Sequence, residues 1–282
     1  MNFLKKIIDE KKQEVLSDKK ITPVQNLKKY CKNKNFKFSK QIKQFNNYNK
    51  PAIIAEIKQA SPSKGIIKKN FDHMKIAEEY VNNDAACLSI LTEKNYFLGN
   101  KKYVSDIKSK FDIPILNKDF FVDPYQIYEA NKNGADCILI ILNSSSDQLI
   151  KDLLFVAKEM EMDVVMEVHN HKEMEIALKY NCSIIGINNR DLETFNVSLE
   201  NTITLYNNFK TSLDDKIIIS ESGMSFKTFS ISLPPNKFSG LSSKSISFSE
   251  TIFILSPPEA SDAATIASSG ELPSAKAASK IS

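Results

Sequence analysis

Short apolar runs and amphipathic segments alternate along most of the chain. The apolar runs are rich in β-branched residues, are too short for buried helices, and recur at intervals averaging about 27 residues. They begin at Ile53, Cys87, Pro114, Cys137, Val164, Ile184 and Ile217. Between them, apolar positions recur at helical spacing, for example over residues 74–81, 124–131 and 147–160. The pattern predicts seven consecutive βα units.

The predicted strands indicate an α/β fold with a parallel sheet. Because they are apolar on both faces, helices must cover both faces of the sheet. An open doubly wound sheet is the alternative, but no glycine-rich dinucleotide fingerprint follows the first strand, and polar residues follow many different strands. Polar strand ends gathered on one rim favour a (β/α)8 TIM barrel. We expect an N-terminal helical extension over residues 1–50, covering one end of the barrel, and seven barrel units over residues 51–224.

Residues 225–282 differ in composition from the rest of the chain. They are rich in serine, contain half of the 10 prolines and nearly lack asparagine. The eighth βα unit of a closed barrel is not recognisable in them. Two explanations stay open, a fused low-complexity tail and a reading-frame error in the gene, and both predict a loop-rich or disordered segment. Sequencing the DNA and the transcript across codon 224 would distinguish them.

Length and composition exclude several classes of protein. With 282 residues, 42% hydrophobic and 26% charged, the chain can bury a large core and is neither collagen-like nor disordered throughout. Its longest apolar run, residues 137–142, is too short to cross a membrane, and no secretory signal is recognisable, so we expect a cytoplasmic protein with no membrane partner. A net charge of +4 without a basic stripe favours a small anionic ligand over nucleic acid.

The cysteines and the arginine narrow the chemistry further. Cys31, Cys87, Cys137 and Cys182 lie too far apart for a zinc knuckle or a redox motif, and are expected to be small buried hydrophobes. Arg190 is the single arginine in a chain that otherwise uses lysine. Because only a guanidinium forms a planar bidentate fork, Arg190 is a candidate for holding a carboxylate or phosphate, the alternative being a surface arginine left by chance.

Polar side chains follow the predicted strands where each strand ends. Glu56 and Lys58 alternate with apolar residues at the end of the first strand, so both point into the barrel mouth, where a charged pair has no packing role. The carboxyl ends of parallel strands meet at one rim. The other polar residues expected there are Asn117, Lys118, Asp119, Glu167, Asn188, Asn189, Arg190, Ser220, Glu221 and Ser222.

Six motifs at these strand ends resemble one family. In chain order they are EIKQASPSKG, LSILTEKNYFLG, LNKDFFVD, MEVH, IGINNRDL and SESGM. Their order and spacing are similar to those of the indole-3-glycerol phosphate synthases of tryptophan biosynthesis, over about residues 1–224. The resemblance implies a (β/α)8 barrel with an N-terminal helical extension. It also implies a decarboxylating lyase that converts 1-(2-carboxyphenylamino)-1-deoxyribulose 5-phosphate to indole-3-glycerol phosphate, carbon dioxide and water.

The resemblance assigns roles to the charged residues. Ring closure needs a proton donor at the ketone oxygen, and Lys118 matches the family's general acid. Glu167 matches the base, and Lys58 matches a partner of the substrate carboxylate and a second proton donor. Glu56 orients and balances the lysines, with a purely structural ion pair as the alternative. This chemistry requires no metal and no organic cofactor.

Contacts with the substrate follow from the same resemblance. Asn188 and Arg190 match residues that bind the substrate carboxylate and hydroxyls. An apolar slot for the aromatic ring matches Pro62, Phe97, Phe120 and Leu192, for which ordinary core packing is the alternative. Phosphate and further substrate contacts match Ser61, Glu221, Ser222 and Gly223. The family's phosphate loop after the eighth strand is not recognisable, and residues 239–242 imitate it only weakly.

Other interpretations stay open beside this one. The chain is an inactive remnant if the missing eighth strand leaves two exposed strand edges. A related phosphate-binding barrel, phosphoribosyl anthranilate isomerase, uses a Cys or Asp acid–base pair, and the lysines and glutamates at this rim argue against it. His169 and His171 lack a third metal ligand, so exposed or helix-capping side chains are favoured.

Two further expectations concern charge and partners. We expect the paired lysines to have lowered pKa values and the glutamates beside them to stay ionised unless they are desolvated. We also expect association with neighbouring enzymes of the tryptophan pathway.

Overall fold

The computed structural model describes residues 3–47, 52–191, 194–223 and 251–255. Leu192, one of the residues expected in the aromatic slot, lies outside the described residues. Residues 239–242 and all of the serine-rich tail except 251–255 lie outside them as well.

Strands and helices alternate along the described chain, and each of the seven predicted strands is present. The strands are β1 (Ile53–Ile57), β2 (Ala60–Ser61), β3 (Gly65–Ile66), β4 (Cys87–Leu91), β5 (Ile115–Lys118), β6 (Cys137–Ile141), β7 (Asp163–Val168), β8 (Ile184–Asn188), β9 (Ile217–Glu221) and β10 (Thr251–Leu255). The helices are α1 (Phe3–Ile21), α2 (Val24–Lys28), α3 (Lys37–Asn47), α4 (His73–Asn82), α5 (Lys102–Lys110), α6 (Tyr125–Asn133), α7 (Asp147–Glu159), α8 (His171–Lys179) and α9 (Glu200–Phe209).

Eight of the strands form a closed barrel, and β2 and β3 form a separate hairpin after β1. The barrel order is β1, β4, β5, β6, β7, β8, β9 and β10, with β10 beside β1. From β1 through β9 the neighbouring strands are parallel. Helices α4 to α9 connect these strands and cover the outside of the barrel. The predicted β/α barrel is confirmed.

The last strand differs from the eighth strand of a regular (β/α)8 barrel. β10 is antiparallel to both β9 and β1, with Phe253 opposite Ile53 and Thr251 opposite Ala55. It therefore begins toward the rim and runs away from it. A loop that follows a parallel eighth strand would emerge at the rim, whereas the chain leaves β10 at the opposite end. The regular eighth βα unit, which the sequence did not reveal, is not formed by β10.

The N-terminal extension serves both ends of the barrel rather than one. Phe38 and Ile42 of α3 are fully buried and pack with Ile54, Ile184 and other apolar residues inside the amino-terminal end of the strands. Helix α1 instead packs beside α6 and begins at the opposite end, among the rim residues. The extension thus closes one end of the barrel and contributes to the other.

Two composition-based expectations concern the cysteines and membranes. Cys87, Cys137 and Cys182 are buried free thiols, and Cys31 is partly buried. Burial raises the pKa of each thiol, so they remain protonated and unreactive at neutral pH. In the described part of the chain, no helix has the length and apolar character needed to span a membrane.

Candidate active site

A cavity of about 160 Å³ opens at the rim where the parallel strands end. It brings together residues from β1, β5, β7 and β8 and from the loops that follow them. Of the residues expected in a site, the polar ones that line it are Glu56, Lys58, Ser61, Lys118, Glu167, Asn188, Arg190 and Ser222, and the apolar ones are Pro62, Phe97 and Phe120. Glu221 and Gly223 do not line the cavity.

Two lysines and two glutamates form a connected group of charges at the floor of the cavity. Lys58 Nζ lies 2.5 Å from Glu56 Oε1, and Lys118 Nζ lies 3.3 Å from Glu56 Oε2. Lys118 also donates to Glu221 Oε2 at 2.8 Å. The Lys118 side chain is 18% exposed and is the most accessible of the four, whereas the side chains of Lys58, Glu56 and Glu221 are nearly buried. The ammonium of Lys118 is therefore fixed between two carboxylates and lines the cavity.

The pKa of Lys118 differs from the sequence-based expectation. Burial by itself lowers this pKa, but Glu221, Glu56 and Glu167 outweigh burial and hold it well above its usual value. The expectation of a lowered pKa came from the neighbouring lysine and is wrong, because the carboxylates on three other strands dominate its surroundings. Lys118 is an ammonium at neutral pH and carries a proton that it can donate.

The three glutamates near Lys118 differ in the direction of their pKa shifts. Burial raises the pKa of Glu56, but Lys58 and Lys118 outweigh burial and lower it to about 2. Glu167 follows the same pattern and is lowered to about 2, chiefly by His169 and Lys118. The pKa of Glu221 is instead raised to about 7 by burial and by the negative charges of Glu167 and Glu56, despite the opposing effect of Lys118. Glu56 and Glu167 are thus ionised as expected, and Glu221 is the desolvated exception.

Gly186 leaves the space that the Glu221 carboxylate occupies. A Cβ atom at Gly186 would lie 2.2 Å from Glu221 Oε1 and 3.0 Å from Val165 Cγ1. Glu221 is only 1% exposed, so its carboxylate is enclosed by neighbouring protein atoms. The glycine on β8 therefore determines where the partner of Lys118 sits.

Phe97 and Phe120 form the aromatic side of the cavity. Their ring centroids lie 6.3 Å apart with the rings tilted by 45°. Phe97 is positioned by Glu93, whose carboxylate accepts hydrogen bonds from the backbone N–H groups of Asn95, Tyr96 and Phe97 at 2.9, 2.7 and 3.1 Å. Sequence reasoning missed Glu93, although a charged residue directly after a buried strand was the available signal.

Helix α1 reaches this site through a buried ion pair. Lys11 Nζ lies 2.9 Å from Asp119 Oδ1, and both side chains are almost completely buried. The Asp119 carboxylate also accepts from Thr92 Oγ1 at 2.7 Å and from the backbone N–H of Phe120 at 2.8 Å. The start of α1 adds apolar cavity residues that sequence reasoning did not assign to the site, namely Phe3, Leu4 and Ile7. Their helical spacing was visible, but it indicated only burial.

Asn188 and Arg190 lie on the side of the cavity next to Glu167. Asn188 Nδ2 donates to Glu167 Oε1 at 3.1 Å, and Asn188 Oδ1 accepts from the backbone N–H of Arg190 at 3.0 Å. Arg190 Nη1 donates to the carbonyl of Phe195 at 3.3 Å. Asn188 therefore orients Glu167 in addition to lining the cavity.

The expected phosphate contacts lie on two different loops. Ser61 ends β2, and its Oγ accepts from the backbone N–H of Lys64 at 3.3 Å. Ser222 follows β9 in the left-handed region, with φ of 67°. Gly223 has φ of 78°, and a Cβ there would lie 2.4 Å from Val197 Cγ1, so it shapes the loop without lining the cavity.

The two histidines after β7 do not form the exposed or helix-capping pair expected from sequence. Asn170 caps α8, because its side chain accepts from the backbone N–H of Glu173 at 3.0 Å. His169 is largely buried beside Glu167, whereas the side chain of His171 is 59% exposed. Across residues 3–47, 52–191, 194–223 and 251–255, no three His, Cys, Asp or Glu side chains gather as a metal site requires.

Comparison with known proteins links this site to one family. A model of the family described as indole-3-glycerol phosphate synthase matches residues 4–229. Indole-3-glycerol phosphate synthase of Thermoanaerobacter sp. (strain X514) is 44% identical over 221 residues, covering 78% of this chain and 82% of that protein. The enzyme of the same name from Caldanaerobacter subterraneus subsp. tengcongensis is 43% identical over 222 residues, covering 79% and 84%. That of Acetivibrio thermocellus is 49% identical over 173 residues, covering 61% and 65%.

Proposed function

The chain belongs to the indole-3-glycerol phosphate synthase family, and we propose that Lys118, Lys58 and Glu167 carry out its ring closure. The enzyme is a carboxy-lyase of tryptophan biosynthesis that acts on a phosphorylated substrate. In the reaction, 1-(2-carboxyphenylamino)-1-deoxyribulose 5-phosphate loses carbon dioxide and water as the indole ring forms. The observation that carries the residue assignment is the Lys118 ammonium, held in the cavity by Glu56 and Glu221.

Ring closure places negative charge on the ketone oxygen, and Lys118 is suited to neutralise it. The aromatic carbon that bears the carboxylate forms a bond to the ketone carbon, and the ketone oxygen takes the proton of Lys118. A fixed cation in a largely water-free cavity stabilises this developing charge more than water does. The bond to the carboxylate then breaks, carbon dioxide leaves, and the electron pair restores the aromatic ring.

Dehydration completes the indole and needs an acid and a base on the same intermediate. Lys58 gives a proton to the hydroxyl group, which leaves as water. Glu167 takes the proton from the adjacent carbon, and the electron pair of that C–H bond becomes the new double bond. Glu56 orients Lys58 through their 2.5 Å contact. The pKa of Glu167, about 2, keeps it deprotonated at neutral pH, so the carboxylate has a vacant position for the proton.

The remaining site residues bind the substrate in this proposal. Phe97, Phe120 and Pro62 hold the aromatic ring, and Arg190 with Asn188 binds the carboxylate and hydroxyls. Ser61 and Ser222 contact the phosphate and the sugar chain, and Leu192 contacts the aromatic ring. Glu221 and Gly223 act from outside the cavity, Glu221 by holding Lys118 and Gly223 by shaping the loop after β9. Residues 1–50 act as the helical extension, residues 51–224 as the catalytic barrel, and residues 225–282 as an atypical tail.

The Lys118→Ala variant tests the assignment. We expect kcat to fall by about 10²- to 10⁴-fold while KM changes little, because the proton and charge of Lys118 are needed mainly in the transition state. Formation of the fluorescent indole product from the carboxyphenylamino substrate measures both constants. Lys151→Ala removes an exposed lysine on α7, paired with Asp147, and should leave them unchanged.

Each outcome of this assay has a distinct meaning. Unchanged turnover in Lys118→Ala would remove Lys118 from the proposed chemistry. A wild-type chain that is soluble, unfolds cooperatively and shows no activity would instead support the inactive-remnant alternative. In that case replacing residues 225–282 with the corresponding segment of an active relative should restore product formation.

We also propose a cytoplasmic location and association with neighbouring enzymes of tryptophan synthesis. A substrate that is a charged phosphate ester supports the first, since such a molecule does not cross a membrane unaided. Cell fractionation tests the location, and co-purification of the full chain with the enzyme that makes its substrate tests the association.

A further inference from the structure

His169 is held between two carboxylates directly beside the proposed base. Its Nε2 lies 3.2 Å from Glu167 Oε1, and its Nδ1 lies 3.0 Å from Glu173 Oε2. Its backbone N–H donates to Glu173 Oε2 at 2.8 Å, and its carbonyl accepts from Asn201 Nδ2 at 3.1 Å. The ring of His169 is thus held by residues of β7 and α8, and its backbone is held by a residue of α9.

The positions of the two ring nitrogens determine the protonation state of the imidazole. A neutral imidazole has one N–H and one lone pair, and here the lone pair would face a carboxylate oxygen. The imidazolium has a proton on each nitrogen, so both carboxylates face positive charge. Burial by itself lowers the pKa of His169, but Glu167 and Glu173 outweigh burial and raise it to about 10. The Nε2–H has no aligned hydrogen-bond partner in the described part of the chain, so it acts on Glu167 through its charge.

Glu173 is itself fixed by the start of α8. Its Oε1 accepts from Asn170 Nδ2 at 2.8 Å, while Asn170 Oδ1 accepts from the backbone N–H of Glu173 at 3.0 Å. Reciprocal contacts of this kind are typical of a capping box at a helix N-terminus. The glutamate that completes the cap therefore also anchors the imidazolium, so the beginning of α8 sets the position of His169.

We propose that His169 is a positioning residue for the reaction: its imidazolium, anchored by Glu173, keeps the Glu167 carboxylate charged and directed into the cavity. This inference rests on the proposed role of Glu167 as the base. Glu167 is buried near the negative charge of Glu221, and both factors favour the protonated form of a carboxyl group. A protonated Glu167 could not accept the proton that dehydration releases.

The charged and polar groups around this pair come from several elements. The imidazole faces Glu167 of β7 and Glu173 of α8. Glu167 is influenced by Lys118 of β5, by Glu221 of β9 and by the amide of Asn188 on β8. With His169 removed, Lys118 is the remaining cation acting on Glu167 among these groups, and Glu221 and Glu56 already share it. The charge of Glu167 should therefore depend strongly on His169.

The His169→Gln variant tests the inference, because glutamine keeps hydrogen-bonding groups but carries no charge. We expect kcat near neutral pH to fall at least about tenfold, with a smaller change in KM, because the Glu167 carboxylate is no longer held in its direction. We also expect the acidic limb of the kcat profile to move up by at least about one pH unit, because Glu167 loses a neighbouring cation. Glu173→Gln should shift the limb in the same direction by less. His171→Gln removes the exposed neighbouring histidine and should leave the profile unchanged. A merely structural role for His169 would lower thermal stability without moving the acidic limb.

A second measurement on the unmodified protein does not depend on whether the variant folds. The chain has 3 histidines, and the NMR signal of the His169 ring is assigned from His169→Gln or, if that variant fails to fold, by elimination from His73→Gln and His171→Gln. We expect the His169 ring to stay protonated from pH 6 to about 8.5. A ring that titrates near pH 6.5 would overturn the inference.

Glu167→Gln separates this inference from the proposed function. If Glu167→Gln retains full turnover, Glu167 is not the base, and both the role assignment and the inference fail. If Glu167→Gln is inactive but the acidic limb of His169→Gln matches that of the wild type, only the inference fails. An inactive Glu167→Gln together with a shifted limb in His169→Gln supports both.

Discussion

The two ends of the barrel interior are built from the same strands but have opposite chemistry. At the amino-terminal end, the inward side chains are apolar and pack on Phe38 and Ile42 of α3. At the rim, the inward side chains are carboxylates and ammonium groups. The change occurs within two residues of a strand, in the pairs Ile54 and Glu56, Leu116 and Lys118, Val165 and Glu167, and Ile219 and Glu221. On each of these strands, two consecutive inward-facing residues therefore separate the apolar end that stabilises the fold from the charged end that carries the chemistry.

The charged layer persists because its charges are matched in number. Glu56, Glu167 and Glu221 lie among the cations of Lys58, Lys118 and His169. Burying an ionised group costs free energy because the group loses its hydration. The attraction of an oppositely charged partner only roughly offsets this cost, so the paired charges at the rim contribute little to stability. The apolar layer has no such cost and gains from burial. Changes at the two ends should consequently affect different measurable quantities.

The largest effect on stability is expected from Phe38→Ala, at the apolar end. Phe38 is fully buried, and its removal leaves a cavity between α3 and the strands. We expect the free energy of unfolding to fall by about 3–5 kcal/mol. Denaturant titration measures this change, and kcat of the fraction that remains folded should stay close to that of the wild type. Phe155→Ala, at a position 65% exposed, is the matched control and should change stability far less.

An intermediate effect is expected from Gly186→Ala, at the charged end. The new Cβ would lie 2.2 Å from Glu221 Oε1, so the carboxylate must move away from Lys118. Crowding in a packed interior costs about 1–3 kcal/mol, and we expect kcat to fall at least tenfold as Lys118 loses its partner. Equal losses from Gly186→Ala in the wild-type and Glu221→Ala backgrounds would contradict this cause, because without the carboxylate the added methyl group should do little further harm.

The smallest change from one measured condition to the next is expected in the pH dependence of stability. The pKa of Glu221 is raised to about 7 in the folded chain, from an ordinary value of 4.5. Between these values the folded state binds more protons than the unfolded state, so stability falls as the pH rises, by at most about 1.4 kcal/mol per pH unit. Glu221→Gln cannot titrate and should remove this fall. Glu56 and Glu167, with pKa values of about 2, stabilise the fold above pH 4.5 and lose that contribution as the pH falls toward 2.

Unfolding curves at pH 4.5, 5.5, 7 and 8 check this prediction. Stability profiles that run parallel for the wild type and Glu221→Gln across this range would contradict it. In the variant, the loss of stability below pH 4.5 should remain, because Glu56 and Glu167 are intact.

Much of the fold and of the site follows from local patterns in the sequence. Runs such as the one beginning at Cys137 predicted buried parallel strands, and their spacing predicted a barrel, because periodicity reports which faces of an element are covered. Alternation placed Glu56 and Lys58 on the same side, and strand ends with polar residues indicated the rim. Glu56, Lys58, Lys118, Glu167, Asn188 and Arg190 line the cavity for this reason, whereas Ser61, Pro62, Phe97, Phe120 and Ser222 were expected there from the family resemblance.

Other features depend on neighbours that are distant in sequence. The raised pKa of Lys118 results from carboxylates on three other strands. The contact of Lys11 with Asp119 joins the N-terminal helix to the rim. No local pattern contains these distances. His169 is a different case, because its partners Glu167 and Glu173 lie two and four residues away, and only the turn from β7 into α8 brings both carboxylates to its ring.

Side-chain alternation and strand length are properties of a few consecutive residues, so the order of strands and the residues at the rim could be inferred without coordinates. Closing the barrel brings together residues more than a hundred positions apart, such as Lys118 and Glu221. Electrostatic interaction depends on those distances and on burial, and both arise when the chain closes on itself. The direction of β10, the ionisation of the charged layer and the partner of the base were consequently established by folding.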